Sequence, residues 1–190
     1  MPRLATSARL PRSGNAALAS GALIQAVVGV EFVLAGLNKF IDPDFTMQFK
    51  GFVTNSPGAT SGALAPLFQT LVAPNAALVA ELARFTELLG GGVLLLTALE
   101  VLRRRLQAPV GAEHGYEPAA ALIAAAAGLA LGVMSLSIFV LQGGRLPGLN
   151  PGFAFSSPIQ IELLLVPLAF GIAWMELARY FALRPAAPQV

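Results

Sequence analysis

Cysteine is absent from the 190 residues, and histidine occurs once, at His114. The first absence excludes disulfide exchange, thiol catalysis and thiolate metal sites within one chain. The second excludes a bis-histidine haem or a multi-histidine metal centre built by one copy. Any redox chemistry therefore needs a diffusible cofactor or a partner protein. Charge is scarce too: 12% of residues are Asp, Glu, Lys or Arg, and the formal net charge is +2. So weak a field gives no basis for a nucleic-acid partner. What the chain does have is apolar bulk, 56% of it hydrophobic. That balance belongs to an integral membrane protein in contact with lipid, not to a soluble domain.

Apolar runs at about 16–41, 76–102, 118–141 and 158–183 are each long enough to cross a bilayer, which takes about 20 mostly apolar residues. The first follows Arg3, Arg9 and Arg12, is too long for a signal-peptide core and has no small-residue cleavage site after it. The pattern predicts an all-α fold in one domain over 1–190, an integral membrane four-helix bundle with short interfacial helices in its first outer loop, 42–75. In that loop Asp42-Pro43 reads as an N-cap with proline at the first helical position, and Phe45, Phe49 and Phe52 share one face of an amphipathic surface helix. Residues 65–72 are too short to span and read as interfacial or re-entrant, with Asn75 capping the second spanning helix. Gly128-x-x-x-Gly132 is a small-residue pattern that suits close contact with a neighbouring helix. Ser157-Pro158-Ile159-Gln160 has capping-box spacing, and Pro167 predicts a kink.

Basic residues fall unevenly. Arg3, Arg9, Arg12, Arg103, Arg104, Arg105, Arg179 and Arg184 lie on one side of these spans, against Lys39, Lys50 and Arg145 on the other. The positive-inside rule then puts both termini in the cytoplasm of a cell with the protein in its inner (cytoplasmic) membrane, and 42–75 outside. Glu100 precedes two of the arginines by three and four residues, the spacing of a helical ion pair.

The spans also carry ionisable residues, each costing about 2.5–3.5 kcal/mol near the bilayer centre. Glu81, Arg84 and Glu87 follow one another at i, i+3, i+6, which reads as one helical stripe. At about 1.5 Å of rise per residue, Glu31, Arg84 and Glu87 lie roughly 14–18 Å in from the outer helix ends, Glu81 and Glu162 about 8–9 Å, and Lys39 about 5 Å. Three spans thus bring charge to the outer half of the bundle, with Glu31 and Asn38 on a common face. If these groups converge, crowding and desolvation favour a proton on at least one carboxyl. Two readings stand: a buried ion-pair network that sets helix register, or a substrate or proton site. Gln25 reads as an interhelical hydrogen bond, Gly90-Gly91-Gly92 as a packing notch, and His114 as a solvated loop residue.

These residues also resemble a known family. GVEFVLAGLNKFIDPDF (29–45) is similar to the opening motif of the DoxX/DoxD-like membrane proteins, and Glu87-Leu-Leu-Gly-Gly-Gly to their second-helix Glu-x-x-Gly-Gly pattern. DPDFTMQFKGFVTNSPG resembles the long outer loop of the DoxD-type branch, which includes the membrane subunit of thiosulfate:quinone oxidoreductase. Two departures stand out: Gln25 where many members have Arg, and ELARYFALRPAAPQV in place of a glycine-rich ending. The resemblance implies a subunit of a membrane redox complex that passes electrons from thiosulfate or a related sulfur donor to quinone, with no haem or metal in this chain. On that reading the charged residues of the spans form the site, with a polar centre of Glu31, Arg84 and Glu87, with Lys39, Asn38, Glu81 and Glu162 around the substrate, and with further subunits as partners. The alternative is a non-catalytic accessory or scaffold subunit of a larger membrane complex.

Overall fold

The computed structural model describes residues 12–107, 116–144 and 159–183. Arg3, Arg9, His114, Arg145, Arg184 and the Ser157-Pro158 pair lie outside them. The chain is all-α over the described residues: α1 (Arg12–Ile41), α2 (Phe45–Asn55), α3 (Pro57–Thr60), α4 (Ala65–Leu67), α5 (Ala76–Gln107), α6 (Glu117–Leu141) and α7 (Ile161–Leu183). Four helical stretches are long and apolar enough to cross a membrane: Ala16–Ile41, Ala65–Arg104, Glu117–Leu141 and Ile161–Leu183. The chain is thus a multi-pass membrane protein, and its outer faces carry large apolar side chains such as Leu23, Val27, Leu96 and Trp174. In lipid such residues need no burial, so the all-round hydrophobicity of each span is expected.

Packing resolves into two close helix pairs, α1 on α5 and α6 on α7; α5 also meets α6, while α1 and α7 barely touch. Missing side chains bring the first pair together. A Cβ at Gly29 would lie 2.7 Å from the Leu95 nitrogen, one at Gly91 2.7 Å from the Val33 nitrogen, and one at Gly36 2.7 Å from the Leu88 nitrogen. Gly128 and Gly132 do the same for the second pair, where a Cβ would meet the Ala169 carbonyl at 2.9 Å and the Phe170 ring at 3.1 Å. Gly128-x-x-x-Gly132 therefore presses against a neighbour as its spacing predicts, and Gly91 makes the notch expected of Gly90-Gly91-Gly92. Between the pairs sits a dry core of Val28, Phe32, Leu94, Leu131 and Ile172.

The 42–75 connection departs from expectation in two places. Asp42 does not cap α2; its Oδ1 accepts the Asp44 N–H at 2.9 Å in a tight local turn, and the helix starts only at Phe45. Nor does the chain break before α5. It runs helically from Ala65 through a π turn (Phe68–Val72) and a 3-10 turn (Ala73–Asn75) straight into Ala76. Pro74 removes one N–H and crowds the carbonyl four residues back; the backbone absorbs this by changing pitch. Asn75 is not a cap, since its side-chain amide donates to the Leu71 carbonyl at 2.8 Å. The resulting stretch of 40 residues is about 60 Å long, twice the hydrocarbon thickness, so it is longer than one crossing needs, and its first turns pack with α2 and α3. There Val53, Ala59, Phe68, Ala76 and Leu141 form a second small core. Gln69 ties it together by donating to the Thr54 and Ala59 carbonyls at 3.2 and 3.0 Å.

Two adjacent glycines on α5 test the close approach. Gly91→Ala adds a methyl against backbone of α1 and is expected to destabilise by about 1–3 kcal/mol. Gly92→Ala meets nothing within 4 Å and should be neutral or stabilising by up to about 1 kcal/mol. Unfolding of both variants in mixed detergent micelles measures the difference.

Candidate functional site

Beneath α2, in the half of the bundle that carries it, the two helix pairs part around a cavity of about 1010 Å³. Its walls are mostly apolar. Phe45, Phe49 and Phe52 of α2 and Phe68 line it at the outer end, so the phenylalanine face of α2 turns inward as well as sealing the second core. Leu82, Leu129, Val133 and Ile161 line it too, yet each is more than half exposed, so the cavity opens sideways where lipid would lie.

Four ionisable residues reach this space from three helices: Glu31 and Lys39 from α1, Glu87 from α5 and Glu162 from α7. Lys39 Nζ donates to Glu87 Oε2 at 2.5 Å, with the Glu87 side chain 4% exposed and that of Lys39 25%. The ammonium also lies 5.9 Å from the centre of the Phe45 ring. Glu162 Oε1 accepts from the Gln142 side-chain amide at 2.9 Å, which ties the end of α6 to the start of α7. Glu31 has neither a hydrogen bond nor an ion pair among the described residues and is solvent- or lipid-accessible. Thr86, Ser135 and Gln48 add neutral polar groups. Three carboxyl groups thus face one ammonium.

Arg84 and Glu81 are not part of this set. They pair with each other along α5, and the Arg84 guanidinium stacks 4.8 Å from the centre of the Phe40 ring. Phe40 in turn meets Phe85 edge-on at 5.0 Å. The expected single stripe therefore splits. Each residue turns an α-helix by about 100°, so steps of three drift by about 60° and Glu81 ends about 120° from Glu87. Lys39, not Arg84, is the cation at Glu87. Asn38 lies outside the cavity, in a shallower groove beside it.

A second polar cluster sits in the opposite half of the bundle. Gln25, fully buried, donates through Nε2 to Thr97 Oγ1 at 2.8 Å and to the Leu94 carbonyl at 3.2 Å, the expected interhelical bond. Beside it lies Glu176, 2% exposed and paired with Arg179 at 3.1 Å. Sequence reasoning passed over Glu176, although a carboxylate three residues before Arg179 near the end of a span is a readable signal. At the same end Glu100 takes both Arg103 and Arg104, as its spacing predicts; Arg104 also holds the buried Glu117 and Tyr116, clasping α5 to α6. Among the described residues no three His, Cys, Asp or Glu side chains group as metal ligands. No family model, curated protein or solved structure matches the chain.

The Lys39–Glu87 pair lends itself to a double-mutant cycle. Lys39→Met strands a buried carboxylate and is expected to cost about 3 kcal/mol. Adding Glu87→Leu removes the stranded charge and should return stability close to wild type. Unfolding midpoints of the two single variants and the double variant give the coupling directly.

Proposed function

We propose that the chain is the quinone-binding membrane subunit of a DoxX/DoxD-like redox complex, fed with electrons from thiosulfate or a related sulfur donor by a partner subunit. The observation that carries this reading is the cavity itself: an apolar, laterally open space of about 1010 Å³ with a Lys–Glu pair at its wall. A quinone combines a flat ring, two carbonyl oxygens and an apolar tail. Lys39 and Thr86 supply donors for a carbonyl oxygen, the phenylalanines supply flat apolar contact, and the side opening suits a tail that stays in lipid. Glu87 and Glu31 are placed to hold or pass protons at the head-group end.

The same inventory argues against the sulfur donor entering here. Thiosulfate is a dianion, and three carboxyls to one ammonium make a poor anion site. With no cysteine in the chain, sulfur chemistry and electron delivery belong to the partner. Arg84 then serves the α1–α5 contact through Phe40.

Titration of a short-chain quinone into the purified protein, followed by thermal shift, tests this. Lys39→Gln is expected to weaken binding about 10–100-fold, the loss of a charge-assisted hydrogen bond. Arg84→Gln should leave affinity unchanged. Absence of quinone binding, together with a stoichiometric partner that purifies with the chain, would replace this reading by the accessory-subunit one.

A further inference from the structure

A second hollow adjoins the first. A groove of about 580 Å³ runs between α1 and the start of α2, lined by Glu31, Asn38, Lys39, Asp42 and Gln48 among others. On α1 its residues fall at 31, 34, 35, 38 and 39, one continuous helical stripe that starts mid-span and is continued by Asp42 just past the helix end. Glu31, Lys39, Phe45, Gln48 and Ala35 line both hollows, so the groove meets the cavity at its charged end. The groove is far more polar than the cavity.

Glu31 makes the case for water. It has no hydrogen-bond or ion-pair partner among the described residues and lies roughly 16 Å below the outer helix end. Facing lipid, such a carboxyl would cost about 2.5–3.5 kcal/mol; facing a hydrated groove it would not. Toward the other membrane face the cavity is closed. Val28, Leu94 and Ile172 are buried in one core with Leu131 of α6, and they fall between the cavity carboxyls and the Gln25–Glu176 cluster in the order of residues along α1, α5 and α7. The ionisable groups facing the junction are Glu31, Lys39 and Asp42 from α1 and its end, Glu87 from α5 and Glu162 from α7; α2 adds only Gln48 among polar side chains, and α6 adds hydroxyls.

We infer that the groove is a hydrated inlet, open to the membrane face that carries α2 and shut to the opposite face, through which protons reach and leave the head-group end of the cavity. The inference rests on the quinone reading. Reduction of a quinone to its quinol consumes two electrons and two protons. The electrons come from the partner's sulfur donor, and the protons enter past Asp42, Lys39 and Glu31, so uptake is drawn from one side of the membrane only.

The chain holds no cysteine, so single cysteines can be placed without a background. A membrane-impermeant methanethiosulfonate reagent is applied to each side of oriented proteoliposomes in turn. Ala35→Cys lines both hollows, Asn38→Cys the groove only, and Leu37→Cys is an exposed neighbour that lines neither. From the α2 face, Ala35→Cys and Asn38→Cys are expected to react at least about tenfold faster than Leu37→Cys, because thiolate forms only where water reaches. From the other face none should react. A saturating short-chain quinone should slow Ala35→Cys about tenfold and leave Asn38→Cys unchanged. Gln48→Cys, which also lines both hollows, replaces Ala35→Cys if that variant does not fold. An unreactive Ala35→Cys in protein that still binds quinone overturns the inlet and leaves the quinone reading standing. Equal labelling from both faces overturns its one-sidedness. Labelling from the α2 face that quinone does not slow upholds the inlet and removes quinone as its purpose.

Discussion

The contact on which the rest depends is the bare-backbone approach of α1 to α5. Gly29, Gly36 and Gly91 let the two helices close until a methyl group at any of them would strike main-chain atoms at 2.7 Å. Glycine inside a helix costs about 1 kcal/mol relative to alanine, so repeated glycines at one interface need a return, and in lipid that return is van der Waals contact. The contact also sets register. Lys39 reaches Glu87 at 2.5 Å because Gly36 sits against Leu88 one turn below. At the other end of the same interface Gln25 reaches Thr97 at 2.8 Å. Both polar bonds are consequences of one glycine-lined seam.

The seam also explains why the bundle opens where it does. Glycines close α1 on α5 and α6 on α7 against main-chain atoms or a ring, whereas α1 meets α7 over a smaller area, where Gly21 faces the flexible Met175 side chain. The space left between the pairs is filled by Phe32, Leu94 and Leu131 at mid-height and left unfilled toward α2, where the side chains become small or polar: Ala35, Thr86 and Ser135. A cavity there follows from the choice of side chains, and α2 with its phenylalanines covers it.

Much of the fold is legible in the sequence because bilayer thickness fixes span length and because glycine spacing marks close contacts. The spans, the Gln25 bond, the Gly128–Gly132 contact and the Glu100–arginine pairs all follow from local spacing. The site was half legible. Glu31, Lys39, Glu87 and Glu162 do line one space, since depth alone brings them to the same level. Depth says nothing about azimuth, however, and azimuth removed Arg84 and Glu81: three residues fall short of a full turn, so a run of two such steps is a spiral and not a stripe. The continuous helix through Pro74 was illegible for a different reason. Proline ends most helices, but a change of pitch anchored by Gln69 and Asn75 on its flanks can carry the backbone through.

Charge placement finally separates the two halves of the molecule. In the half away from α2, Glu176 has Arg179, Glu117 has Arg104 and Glu100 has two arginines, so these three carboxylates are matched among the described residues and the cluster reads as a clasp. In the half under α2 the matching stops. Lys39 serves Glu87, Gln142 serves Glu162, and Glu31 is left over. A chain that can pair its carboxylates so completely at one end, and leaves one unpaired at mid-depth at the other, is not short of arginine. An unmatched carboxyl beside a polar groove and an apolar cavity is where proton traffic and a lipid-soluble ligand can meet, and no other place among the described residues offers both.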